Sequence, residues 1–137
     1  MYNYPIMELL QKYIKEIEQD LKIDEFNVKE VQMNAPGKKH FWISRLINHK
    51  VELNNLKTEK ILTRKTLIDK ISKNSPVTLS FATLEKTVDN TDEVQRLNFK
   101  IKENEILIEF LEKTEKVFSS LTFDIRNIVE IIKVENN

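Results

Sequence analysis

Cysteine is absent from the 137 residues, and glycine and proline are scarce, at one and three. Without thiols the chain can form neither a disulfide framework nor a thiolate metal site, and an intracellular, cytoplasmic location is the natural expectation. The single glycine, Gly37, excludes a Walker loop and a dinucleotide fingerprint, since no Gly-Lys-Ser or Gly-x-Gly occurs. Long apolar runs are missing too. The greasiest stretch, Ile106 to Leu111, is interrupted by Glu109 and falls far short of the roughly 20 residues that span a bilayer. The start, Met1-Tyr2-Asn3-Tyr4-Pro5, has no basic region followed by an apolar one and does not read as a secretory signal.

Catalytic chemistry is equally poorly supplied. The only two histidines, His40 and His49, are nine residues apart and so fall on nearly opposite sides of a helix, where they cannot share a metal as an i, i+4 pair can. Each reads as a surface or interface residue. Glu103, Glu105, Glu109, Glu112 and Glu115 alternate with Lys100, Lys102, Lys113 and Lys116, the pattern of a solvated face. No nucleophile stands beside a recognisable base. The expectation is a protein that is not an enzyme and uses no cofactor and no metal.

What remains is abundant Lys, Glu, Leu and Ile, which favours long helices, in a chain of about one domain. The fold class expected is mainly α. From Pro5, well placed for a first helical turn, Ile6, Leu9, Leu10, Tyr13, Ile14, Ile17 and Leu21 recur at spacings of three and four, which predicts a helix to about Lys22. Ala35-Pro36-Gly37 is the strongest breaker, so residues 23–37 read as a short helical turn and a bend. From Lys38 to about Ser72 nothing interrupts a second helix, roughly 50 Å long at 1.5 Å per residue. Together these make a hairpin-like N-terminal part. Asn74-Ser75-Pro76 ends it, and Val77, Leu79 and Phe81 alternate with Thr78 and Ser80 as in a short extended segment near 77–81.

Thr91 suits an N-cap, and Asp92 and Glu93 suit the first turn of the last helix. From Val94 a heptad-like seam runs through Leu97, Ile101, Asn104, Ile108, Leu111, Glu115, Phe118, Thr122, Ile125, Val129 and Ile132. Leu107, Phe110, Val117, Leu121, Phe123, Ile128 and Ile131 lie beside it. A helix apolar on more than one side needs more cover than two neighbours supply. Self-association through 91–137 is therefore expected, with Ile108, Leu111, Phe118, Leu121, Ile125, Ile128 and Ile132 as its contacts; the alternative is a monomeric helical bundle in which the first helix covers the second face. Residues 1–90 would then form the binding part.

The net charge of zero conceals a strong segregation. Residues 38–73 hold ten basic residues against Glu52, Glu59 and Asp69, a net of +7, while the flanks carry −3 and −4. Such a segment seeks anions without making the whole chain basic. Lys57, Lys60 and Arg64 follow one another on one strip of the helix, in line with Trp42, Leu46, Leu53, Leu56 and Leu67. Cations buried there without partners would be very costly. Three arrangements relieve this: the strip opens onto a groove for an anion, glutamates of the last helix pair with it, or the side chains snorkel past the core. Lys39, Lys50 and Lys65 widen the field, and charge spread over such a length suits a polyanion. Phe41 and Trp42, beside these cations, are of the type that stacks on unpaired bases; Trp42 lies on the leucine stripe and so reads first as a core anchor, leaving Phe41 as the stacking candidate.

These residues also carry a family resemblance. Asp20-Leu21-Lys22-Ile23-Asp24, Asn27-Val28, Glu30, Pro36, Trp42 and the long basic helix resemble the N-terminal half of the UvsY recombination mediators of T-even-type phages. Phe118 with Phe123-Asp124-Ile125-Arg126-Asn127-Ile128 is similar to that family's C-terminal helix. The resemblance implies a non-enzymatic accessory protein of homologous recombination and DNA repair. It implies binding to single-stranded DNA, contacts with a recombinase and a single-strand binding protein, and help for the recombinase in replacing that protein. It also implies a ring-like homo-oligomer of about six to seven subunits, assembled through the C-terminal helix. The family's Lys-x-Arg patch maps to Lys65-Thr66-Leu67, so the lysine is kept, the arginine is missing, and Arg64 stands immediately before. The glycine-rich turn of relatives is replaced by Lys73-Asn74-Ser75-Pro76. The DNA-binding residues expected are thus Lys39, Phe41, Lys50, Lys57, Lys60, Arg64 and Lys65. The alternative is a coiled-coil scaffold or adapter that binds only protein.

Overall fold

Four helices follow one another in the computed structural model: α1 (Pro5–Asp20), α2 (Val28–Asn74), α3 (Phe81–Asp89) and α4 (Asp92–Glu135). The structure describes residues 5–136, and among the described residues there is no strand. Residues 1–4, read above for a leader, and the side chains of Pro5 and Ile6 lie outside the described residues. Contacts divide the chain into two units, Met1–His49 with Leu107–Asn137, and Lys50–Ile106. The division cuts both long helices.

In the first unit the apolar face of α1 buries Tyr13 and Ile17, and α2 contributes Trp42 and Leu46. The Tyr13 and Trp42 rings meet edge to face at 5.8 Å, an arrangement aromatic quadrupoles favour. The link from α1 to α2 is held by interlocked side chains. Asp24 Oδ1 accepts from the backbone N–H groups of Phe26 and Asn27 at 2.7 and 2.9 Å, while Asn27 Oδ1 accepts from the Asp24 N–H at 2.8 Å.

The expected bend at Ala35-Pro36-Gly37 is not formed. α2 starts ten residues before Lys38 and runs through Pro36, although an interior proline costs roughly 3 kcal/mol. Tertiary anchors on both sides offset that cost: the Asp24–Asn27 turn before it, and Lys38 and Trp42 after it, which bond Asp20 at 3.0 and 2.9 Å. Gly37 has no positive φ, and nothing lies within 4 Å of where its Cβ would be, so helix is open to it.

His49 corrects a second expectation. It faces inward with Trp42 and Leu46 and is buried, its Nε2 lying 3.0 Å from the Tyr13 hydroxyl. α4 supplies Leu107, Ile108, Leu111, Thr114, Phe118, Leu121 and Ile125 to the interior. Beyond Leu111 the buried row follows Thr114, Phe118, Leu121 and Ile125 rather than the Glu115 and Thr122 of the expected seam.

The second unit corrects the expected extended segment. The stretch from Ser75 to Ser80 is non-helical, and Phe81 begins α3. Ser80, with extended backbone, caps the helix: its Oγ accepts from the Thr83 N–H at 3.2 Å. Leu84 and Val88, four apart, are the buried side chains of α3. Thr91 stands at the start of α4, where its carbonyl accepts from the Gln95 N–H at 3.0 Å, but its hydroxyl turns back to donate to the Val88 carbonyl at 2.6 Å. Leu56, Val94 and Leu97 complete the buried apolar set of this unit.

Candidate nucleic-acid interface

Five of the seven DNA-binding candidates, Lys50, Lys57, Lys60, Arg64 and Lys65, fall in the second unit, and Lys39 and Phe41 in the first. At about 100° per residue, Lys50, Asn54, Lys57, Ile61 and Lys65 form one row along α2. All five are exposed. Lys57 and Lys65 have no ion-pair partner among the described residues. Glu52 and Glu59, two of the three acids in 38–73, lie on the opposite flank. The row is therefore a solvated cationic strip interrupted by an uncharged Asn and an Ile, with the chemistry to meet successive phosphates.

Lys57, Lys60 and Arg64 share one side of α2 but differ in exposure. Lys57 is exposed, whereas Lys60 and Arg64 are half-buried on the side turned towards Leu56. Arg64 is relieved by pairing, though not with the last helix as one of the three arrangements supposed. Its Nε donates to Asp89 Oδ1 at 2.8 Å and its Nη2 to Asp89 Oδ2 at 3.4 Å, and Glu85 Oε1 lies 3.7 Å from Nη2. Both acids belong to α3. The Arg64, Asp89 and Glu85 side chains are 29%, 48% and 42% exposed, so water screens the pair and it contributes about 0.2–1 kcal/mol. Leu67, in the place of the missing family arginine, is half-buried.

Phe41 is partly committed as well. The Arg45 guanidinium lies 4.2 Å from its ring centroid, 4.5 Å from that of Tyr13 and 4.9 Å from that of Trp42, and Glu16 pairs with the same Arg45. One face of the Phe41 ring is thus occupied by a cation. Trp42 is the core anchor that the leucine stripe indicated: it is buried and its Nε1 donates to Asp20. Lys39 is half-buried.

The expected assembly residues are placed mostly in the chain's own interior. Ile108, Leu111, Phe118, Leu121 and Ile125 are buried within the single chain, because the first unit folds around this face of α4. Ile128 and Ile132 are half-buried. The apolar side chains α4 leaves exposed near its end are Phe123, Ile131 and Val134, which the seam did not include. No group of three or more His, Asp or Glu able to hold a metal exists among the described residues. No helix among them is long and apolar enough to cross a membrane.

The architecture defines an all-α class: two long helices, a short leading helix and a nine-residue helix between the long pair. It is the fold seen in crystal structures of the bacteriophage T4 recombination mediator protein UvsY. In lattice type IV the likeness has a TM-score of 0.78 over 92% of this chain and 98% of that chain, at 18% sequence identity. Lattice type II gives 0.77 over 93% and 98% at 17% identity, and lattice type I 0.74 over 88% and 96% at 16%. At such identity the likeness establishes a shared fold. No protein-family model matches the chain, and no curated protein is significantly similar to it in sequence.

Proposed function

We propose that this chain is a recombination mediator: a non-enzymatic homo-oligomer that binds single-stranded DNA and helps a recombinase replace the single-strand binding protein on it. The observation that carries the reading is the exposed row on α2, with Lys57 and Lys65 unpaired among the described residues, on a fold shared along most of its length with a recombination mediator protein. One such row makes few phosphate contacts and binds loosely. Several rows in one assembly act together and gain avidity with no new contact.

In this reading Lys50, Lys57 and Lys65 contact phosphates and Lys60 supports the field in the second unit; in the first unit Lys39 adds charge and the exposed Phe41 stacks on a base. Arg64 contacts the strand only after leaving its acidic partners. Assembly uses Ile128 and Ile132 together with the exposed Phe123, Ile131 and Val134. A strand held along the assembled rows is loosened from its single-strand binding protein and presented to recombinase.

The test is recombinase filament assembly on single-stranded DNA coated with single-strand binding protein. Adding the chain should shorten the lag before filaments form. An unchanged lag, together with no binding to bare oligo-dT, would leave a scaffold that binds only protein.

A further inference from the structure

Asp89 and Glu85 stand where the physics of their own helix disfavours them. Asp89 is the last residue of α3, at the negative end of the helix dipole, and Glu85 lies four residues before it, so the two like charges face one another along the helix surface. The compensating group seen for both is Arg64 of α2. The grip is incomplete. Of the five guanidinium N–H donors, those on Nε and Nη2 meet carboxylate oxygens, and the Nη2 contacts are long, at 3.4 and 3.7 Å. All three side chains are reachable by solvent, and α3 itself is held by only two buried side chains, Leu84 and Val88.

We propose that α3 is an internal competitor for the nucleic-acid phosphate: Asp89 and Glu85 occupy Arg64 in the free protein, and a bound strand takes the guanidinium over. This rests on the DNA-binding reading above. A carboxylate and a phosphodiester offer Arg the same forked pair of acceptor oxygens, so one can replace the other without rearranging α2. The exchange also has an electrostatic consequence. While Arg64 is masked, a single weakly bound phosphate finds only the lysine row; a strand spread along that row brings a phosphate to Arg64 and is held by one more contact. The mask therefore discriminates against short or isolated anions and favours an extended strand.

The experiment is a cycle of variants read by anisotropy of fluorescein-labelled oligo-dT across a salt series. Glu85→Gln with Asp89→Asn should bind about threefold or more tightly than wild type, while the salt slope changes by less than about 0.7, the value of one whole further single-strand phosphate contact, because Arg64 meets a phosphate in both bound states. Removing two acids raises affinity for any polyanion, so the cycle is closed by adding Arg64→Gln. The gain should then largely disappear. A gain of equal size without Arg64, or no gain at all, overturns the proposal. Should these variants not fold, the Arg64 Nε–H resonance of the wild type is followed as oligo-dT is added. It should shift with saturation, and an unmoved resonance at saturation overturns the proposal. Wild type that binds no oligo-dT defeats the DNA-binding reading itself, an outcome visible before any variant is made.

Discussion

Trp42 donates its indole N–H to Asp20 across the link between α1 and α2, at 2.9 Å, and Lys38 binds the other oxygen of the same carboxylate at 3.0 Å. One acid at the last residue of α1 thus holds two residues of α2 that lie just beyond Pro36. Because the indole is buried, removing its acceptor leaves an unpaired donor inside the unit.

Asp20→Ala should cost about 1–3 kcal/mol, the penalty of a buried donor left unsatisfied. A urea titration followed by tryptophan fluorescence reads this as a lower midpoint. An unaltered midpoint would mean that α2 crosses Pro36 without the help of this anchor.

Leu111 and Phe118 are core residues of the single chain. Leu111→Ala should lower stability by about 2–5 kcal/mol, as large-to-small changes in packed interiors do. Phe123→Ser with Ile131→Ser should instead leave the urea midpoint within about 0.5 kcal/mol and reduce the mass seen by light scattering. A full-size oligomer in the second variant would remove these side chains from the assembly surface.

Glu103 is 6% exposed, and its Oε1 has no hydrogen-bond partner among the described residues. Burial raises its pKa above the ordinary 4.5. A carboxyl raised in the folded state supports folding while it is protonated, below the unfolded value, and loses that contribution as pH rises through the folded value. Glu103→Gln should therefore stabilise the chain at pH above the raised value, with an advantage that shrinks as pH falls towards 4.5 and below. Urea midpoints of both proteins across that range check this, and an advantage independent of pH would contradict it.

α1, α2 and α4 were legible because their apolar residues repeat at three and four over several turns. Two features were not. Pro36 and Gly37 are local breakers, and the Asp24–Asn27 turn before them and the contacts of Asp20 with Lys38 and Trp42 after them support α2 through them. α3 was obscured because Val77, Leu79 and Phe81 alternate over five residues; yet Ser80 as cap with Phe81, Leu84 and Val88 at helical spacing was a signal of the same strength. At the interface the cationic helix was plain. That Arg64 is engaged was foreseeable as a need for a partner, but Glu85 and Asp89 as that partner were not, since a tertiary pair leaves no mark in either local pattern. For the assembly residues, periodicity shows that a face is apolar, not which chain covers it.

Lys57→Ala with Lys65→Ala removes the two exposed cations that have no ion pair among the described residues. Affinity for oligo-dT should fall, and the slope of log affinity against log salt should become shallower by about 1.4, two contacts at about 0.7 each. Far-ultraviolet dichroism should be unchanged, because neither side chain is buried. An unchanged slope would place the DNA elsewhere.

The most direct measurement is the wild-type titration itself: anisotropy of labelled oligo-dT, beside a duplex of equal length, from about 50 to 200 mM salt. The account predicts that the single strand binds more tightly than the duplex and that its affinity falls steeply as salt rises. No binding, or binding indifferent to salt, would contradict it.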